Sequence, residues 1–182
     1  MNKIQVILGS TRQGRAGEKV ANWVMAELSK IPGAEFELLD LRDYVLPHFD
    51  EPVSPMASGG KFTNEVARRW GAKLAEGKGY VIITPEYNHG YPGVLKNALD
   101  YAYNEWHGKP VAFVSYGGSA GGSRAVQQLR QVVIEMQMIP IRDSVLIPLI
   151  WTAFNEQGEL THAESHTKSL NAVVQKILSY IK

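Results

Sequence analysis

The sequence predicts an α/β protein: a doubly wound five-stranded parallel sheet with helices on both faces. Three observations lead there. Short apolar runs alternate with amphipathic stretches along the whole chain, the pattern of strand–helix–strand units. The run Tyr80–Thr84, YVIIT, is nearly all apolar, as expected of a strand covered on both faces. Right-handed crossovers between parallel strands then restrict the topology to a doubly wound sheet.

In chain order, the first strand is Ile4–Leu8, ending at Gly9. From Gly17 to Ser29, the residues Val20, Ala21, Val24, Met25 and Leu28 recur at helical spacing, and Pro32 and Gly33 stop the helix. Phe36–Leu41 is the second strand. Residues 42–62 contain Pro47, Pro52, Pro55, Gly59 and Gly60 and are expected to form a long loop, of a length that is usually functional or mobile. Thr63–Glu76 is a helix with Val66, Ala67, Trp70 and Leu74 on its inner face, and Tyr80–Thr84 is the third strand. Pro92 is placed as the first residue of the next helix, which turns Leu95, Ala98, Leu99 and Ala102 inward. Val111–Tyr116 is the fourth strand. Ser123 is expected to cap a helix carrying Ala125, Leu129, Val132, Val133 and Met136 on its inner face. The fifth strand spans Val145 to Ile147, where Pro148 ends it or marks an edge. An amphipathic helix from about Ala163 to Ile181 follows. No internal repeat or linker divides the chain, so residues 1–182 are read as one domain.

Composition narrows the function classes. A chain of 182 residues, 45% hydrophobic and 20% charged, suits one soluble α/β unit with a sizeable core. No apolar stretch approaches the ~20 residues that cross a bilayer. The opening MNKIQVILGS runs directly from strand into loop and does not read as a signal peptide. Without cysteine there are no disulfides, thiolate nucleophiles or thiolate metal sites, which fits a cytoplasmic protein. A formal net charge of +1 supplies no basic field for nucleic acid. The histidines His48, His107, His162 and His166 are scattered without metal-ligand spacing, and no metal is expected.

Ligands of doubly wound sheets bind beyond the carboxyl ends of the strands. Three unusual loops leave those ends: 9–17, 85–93 and 117–122. In the first, LGSTRQGRAGE, Gly9 and Gly14 with four residues between them match the glycine half of a nucleotide-binding P-loop. Arg15 and Ala16 stand where that motif needs Lys and Ser or Thr. The dinucleotide fingerprint fails too, because Thr11 occupies the position of its second Gly. What remains is a hydroxyl-and-arginine cradle. Ser10, Thr11 and the N–H groups near Gly17 can converge on one phosphate at a helix N-terminus, and Arg12 can add a charge-assisted contact. The bland alternative is a polar turn with Arg12 and Arg15 solvated. The second loop, in TPEYNHGYPGVLKNALD (84–100), offers backbone groups of Glu86, Tyr87 and Asn88 to the edge of a planar ring, with Gly90 and Gly93 allowing close approach. It also reads as a turn with half-buried tyrosines. The third, within SYGGSAGG (115–122), has little side-chain bulk and N–H groups that could donate to ring carbonyls; alone it would also read as a flexible connection.

These pieces, GSTRQGR (9–15), TPEYNHGYPGVLKNALD and YGGSAGG (116–122), occur in order and at the spacing found in the NADPH-dependent FMN reductases of the flavodoxin-like superfamily, which include quinone, azo-dye and chromate reductases. The chain resembles that family over nearly its whole length. The resemblance implies one flavodoxin-like FMN-binding domain over 1–182. It implies that Ser10, Arg12 and Gly17 hold the FMN phosphate, that Pro85, Glu86, Tyr87 and Asn88 wrap the isoalloxazine, and that the loop Gly117–Gly122 borders its other edge. With Thr11 from the first loop and Ser115 at the start of the third, the expected cofactor-binding set is Ser10, Thr11, Arg12, Gly17, Pro85, Glu86, Tyr87, Asn88, Ser115, Gly117 and Gly118. Many relatives carry Ser where Gly17 stands, so that position offers only its backbone N–H, and many carry Trp where Tyr101 stands.

The chemistry implied is hydride transfer from NADPH or NADH to FMN and on to a small acceptor: a quinone, free flavin, azo compound or metal oxyanion. No protein side chain need act as a catalytic group. His89 is weighed as a proton donor and read instead as a loop histidine near a subunit contact. The resemblance also implies a homodimer or homotetramer, with the 42–62 loop, carrying Leu46, Phe49 and Met56, as a contact element. The rival readings are a non-enzymatic FMN electron carrier, weakened by the lack of acidic excess, and a regulatory domain that has lost the cofactor.

Overall fold

The computed structural model describes residues 2–181. Its parallel strands are β1 (Asn2–Leu8), β2 (Ala34–Asp40), β3 (Gly79–Pro85), β4 (Pro110–Tyr116) and β5 (Ile139–Ile147), in the order β2-β1-β3-β4-β5. The helices are α1 (Gly17–Leu28), α2 (Pro55–Ser58), α3 (Glu65–Ala75), α4 (Gly93–Asp100), α5 (Ser123–Glu135) and α6 (Ala163–Tyr180). Strand β1 pairs with β2 on one side and β3 on the other, so the winding direction reverses at β1 and the loops after β1 and β3 part to leave a crevice.

Strand periodicity distributes the core. Tyr80 and Ile82 of β3 point to one face with Ile7 and Phe113, beneath α3, α4 and α5; Val81 and Ile83 point to the other with Val6, Leu8 and Val114, beneath α1 and α6. Every residue of β3 and β4 is buried, which accounts for their unbroken apolar runs.

The elements agree with the pattern reading at their centres and differ at their ends. Pro92 is the N-cap of α4 and not its first helical residue; its carbonyl accepts from Leu95 and Lys96. Gly122, with a left-handed φ of 86°, caps α5, so Ser123 is already inside the helix. Strand β5 begins six residues before Val145, at Ile139. Pro140, Arg142 and Asp143 disguise it, and they are tolerated because β5 lies at the sheet edge with a register shift against β4 between Val111 and Phe113.

The 42–62 segment is strapped down. Phe49 N–H donates to Asn97 Oδ1 at 2.9 Å, Asn97 Nδ2 donates to the Pro47 carbonyl at 2.7 Å, and Glu51 accepts from the N–H groups of Thr63 and Asn64. Phe49 packs on Phe62 and Tyr101. Leu46 and Phe49 thus face the core, and only Met56 of the three expected contact residues is exposed, at 64%.

The first loop is held by charge. The Arg15 side chain is buried and forms a two-pronged pair with Asp40, the last residue of β2; it also donates to the Ser10 carbonyl and to Glu18. Arg42 donates to the carbonyls of Thr11 and Arg12 and pairs with Glu18 at 2.6 Å. Burial alone would raise the Asp40 pKa, but the Arg15 hydrogen bonds and the Arg42 N–H outweigh it and hold the carboxyl below its ordinary value. A carboxyl so depressed stabilises the fold above its unfolded pKa, and that contribution is lost as pH falls through the folded pKa. Asp40→Asn should therefore cost about 2 kcal/mol at neutral pH, since it weakens the pairing of a buried guanidinium. In thermal melts the gap between the two proteins should close as the pH falls below about 4; a gap independent of pH would contradict the pairing.

Candidate functional site

The carboxyl ends of β1, β3 and β4 carry the three loops singled out in the sequence, and they meet. The Ser10 hydroxyl lies 2.9 Å from the Tyr87 hydroxyl, joining the first loop to the second. Glu86 joins the second to the third: its carboxylate accepts from the Arg124 N–H at 3.1 Å and from the Arg124 guanidinium at 2.6 Å, within the first turn of α5. Burial opposes ionisation of Glu86, but the Arg124 contacts prevail and hold its pKa below the ordinary value. The third loop is braced by the turn after β5, where the N–H groups of Leu149 and Ile150 donate to the carbonyls of Gly118 and Gly117, both at 3.0 Å. Leu149 has a left-handed φ of 47°, the kind of strained backbone found where a site is held in shape.

Between these loops lies a small, partly open cavity of about 110 Å³, bordered by Arg12, Ala16, Pro85, Tyr87, Tyr116 and Ile150, among others. Helix α1 opens at its edge. Its N-cap is Ala16, which provides no side-chain hydrogen bond, so the first-turn N–H groups are uncapped and polarised toward an anion. The Arg12 side chain is exposed and turns back on the carbonyls of Gln13 and Gly14 at 3.2 Å. Gly118 is exposed, and a Cβ placed on it would touch only Trp151, at 3.7 Å.

The expected site residues divide into those grouped at the start of α1, where the Ser10 hydroxyl is buried against Tyr87 and Arg12 rests on the Gln13 and Gly14 carbonyls, and those spent on bracing the scaffold. Ser10, Thr11, Arg12 and Gly17 lie together at the start of α1. Ser115 does not reach the site: it is fully buried, donates to the Gly121 carbonyl at 2.8 Å, and packs under Gly122, where a Cβ would meet it at 2.7 Å. It shapes the glycine loop from below. The Glu86 N–H is used by the Tyr116 carbonyl, and Tyr87 exchanges both backbone bonds with Gly90 across a turn whose central residues, Asn88 and His89, are left-handed. The Gly117 N–H is used by Ile147. Of the backbone donors expected to read a ring edge, those of Asn88 and Gly118 have no backbone partner among the described residues. His89 is exposed at the turn, and its carbonyl accepts from Gln128 at 3.0 Å.

Four residues were missed. Arg15 and Asp40 form the strut beneath the first loop; local spacing marks Arg15 only as a departure from the P-loop, because it does not show an ion pair 25 positions apart. Tyr116 was assigned only as the strand end. Trp151, 70% exposed beside Gly118, follows a strand whose early start was not recognised. A larger groove of about 500 Å³, lined by Met56, Leu99, Val132 and Met136 among others, runs along α4 and α5 and is separate from the loops.

A family model described as NADPH-dependent FMN reductase matches residues 2–152, a span that takes in all three loops and the turn through Trp151. The NAD(P)H-dependent FMN reductase ntnL of Nectria sp. is 42% identical over 168 residues, covering 86% of this chain and 82% of that protein. A quinone reductase of Pseudomonas putida is 29% identical over 186 residues, covering 98% and 94%. The solved structure of FerB, a flavoenzyme NAD(P)H:(acceptor) oxidoreductase from Paracoccus denitrificans, superposes with a TM-score of 0.78 at 26% identity, covering 99% of each chain. The strand order is that of flavodoxin-like sheets. The chain belongs to the NADPH-dependent FMN reductase family, FMN-dependent oxidoreductase enzymes that take their electrons from a nicotinamide.

Proposed function

We propose that residues 1–182 act as one FMN-binding unit whose cofactor lies across the three loops, and that its electrons go to a small planar acceptor of the quinone type. The uncapped start of α1 beside the small, partly open cavity carries this reading: the space suits a phosphate group and is bordered by donors. In this reading Ser10, Thr11, the Gly17 N–H and Arg12 hold the phosphate. Pro85 and Tyr87 border the ring, and the N–H groups of Asn88 and Gly118 meet its edge. Glu86 and Ser115 serve as braces. FMN when bound supplies the hydride chemistry, accepting from the nicotinamide and passing electrons to the acceptor. The protein would hold the ring between the loops, with the exposed Gly118 and Trp151 at the entrance used by donor and acceptor in turn, and it keeps its buried charges paired. A net charge of +1 favours small substrates over a carrier's complementary protein partner.

A cytoplasmic location and a homodimer or homotetramer complete the proposal. Exposed Met56 and Val53 at α2 provide apolar surface for a subunit contact. No helix among the described residues is long and apolar enough to cross a membrane.

Purified protein reconstituted with FMN should show a visible flavin band that bleaches on anaerobic addition of NADPH or NADH and recovers on addition of a quinone. A flavin band that neither nucleotide bleaches would favour an electron carrier, and failure to take up FMN would favour a regulatory domain. Gly118→Val should leave the melting temperature unchanged within a few degrees, because Gly118 is exposed and the added Cβ meets only Trp151. The same variant should weaken FMN binding about tenfold or more by occupying the ring's border. Unchanged affinity would place the ring elsewhere.

A further inference from the structure

Tyr116, the last residue of β4, is 4% exposed, and its hydroxyl is buried without a hydrogen-bond partner. Its phenol reaches the first residue of α1. A Cβ built on Gly17 would lie 2.6 Å from the Tyr116 oxygen, 3.4 Å from its Cζ and 3.0 Å from a Leu8 methyl. Gly17 sits in a helix, where no left-handed backbone calls for glycine. The missing side chain is explained by space: the tyrosine hydroxyl stands where a small side chain at position 17 would stand.

A buried hydroxyl without a partner is costly and calls for an explanation. The surroundings supply one. Tyr116, Arg12 and Ala16 border the same partly open cavity, and the uncapped N–H groups of α1 start there. The other charges nearby are spoken for: Arg15 by Asp40, Glu18 by Arg42, Glu86 by Arg124. What is left around the cavity is a set of donors, and the ligand that matches it is an oxygen-rich anion.

We infer that the Tyr116 hydroxyl donates to the phosphate of bound FMN, replacing the side chain that Gly17 lacks, so that positions 17 and 116 together provide one hydroxyl. The inference rests on the FMN reading above and adds a ligand to it. Burial raises the phenol pKa and the nearby Tyr87 adds to that; Arg15, Arg12 and the Ser10 hydroxyl, which lies close to the phenol but beyond hydrogen-bond distance, only partly offset it, so the group stays protonated and able to donate.

The test uses apoprotein titrated with FMN and with riboflavin, which lacks the phosphate, followed by quenching of flavin fluorescence. Tyr116→Phe should weaken FMN binding about 10- to 100-fold, the loss expected for a hydrogen bond to a charged group, and leave riboflavin affinity unchanged. Its apoprotein should melt at the same temperature as wild type or higher, since only an unpaired hydroxyl is removed. Gly17→Ser alone should weaken FMN binding through the collision with Tyr116, and Gly17→Ser with Tyr116→Phe should regain most of the affinity lost by Tyr116→Phe. Equal FMN affinity in Tyr116→Phe and wild type, or equal losses for FMN and riboflavin, would overturn the inference while leaving the FMN reading intact. Wild-type protein that takes up neither flavin would instead overturn the FMN reading, and this inference with it.

Discussion

A buried guanidinium fixes the shape of the first loop. Arg15 is a cation inside the fold, and it stays there because Asp40, Glu18 and the Ser10 carbonyl all turn toward it. Uncompensated, such a charge would be expelled or would distort the loop. Paired, it fixes the path from β1 into α1 and joins that path to the end of β2. The first turn of α1 can then be left uncapped at the sheet's carboxyl edge. Arg42 adds a second clamp on the same backbone, through the carbonyls of Thr11 and Arg12. The two arginines of the loop thus differ: Arg15 is buried and holds the loop, while Arg12 is exposed and rests on the carbonyls of Gln13 and Gly14.

The same division runs through the other loops. The Glu86 carboxylate and the Ser115 hydroxyl are polar groups in a motif that invites a binding role, yet each fastens one strand end to the next. Their work is to hold two glycine-bearing loops at a fixed separation. A flat heteroaromatic ring needs such rigidity, because the protein's part in flavin chemistry is to position the cofactor and control access to it. The backbone strain at Leu149 belongs to this scheme, since the turn containing it braces Gly117 and Gly118 and sets Trp151 at their side.

Much of this was legible in the sequence. The alternation of apolar runs and amphipathic stretches gave the sheet and its helices, because β3 and β4 are buried on both faces and α1, α3 and α5 keep a clean helical stripe. The three loops stood out because glycines, hydroxyls and aromatics are unusual directly after buried strands. What the sequence hid was pairing across distance. Nothing local tells that Arg15 meets Asp40, that Glu86 caps α5, or that the N–H groups of Glu86, Tyr87 and Gly117 are already used. The start of β5 was hidden for another reason: an edge strand tolerates Pro140 and the charged Arg142 and Asp143, so its pattern is not that of a buried strand. Gly17 was legible as a departure from relatives, but its cause, the oxygen of Tyr116, lies on another strand.

The central claim is that FMN lies at the carboxyl edge of the sheet with its phosphate at the start of α1. The most direct measurement is a crystal structure of the protein grown with FMN. Flavin density between residues 9–17, Glu86–Asn88 and Gly117–Gly118, with the phosphate against Gly17, is the predicted result. Flavin density confined to the groove along α4 and α5, or absent from all three loops, would contradict the account.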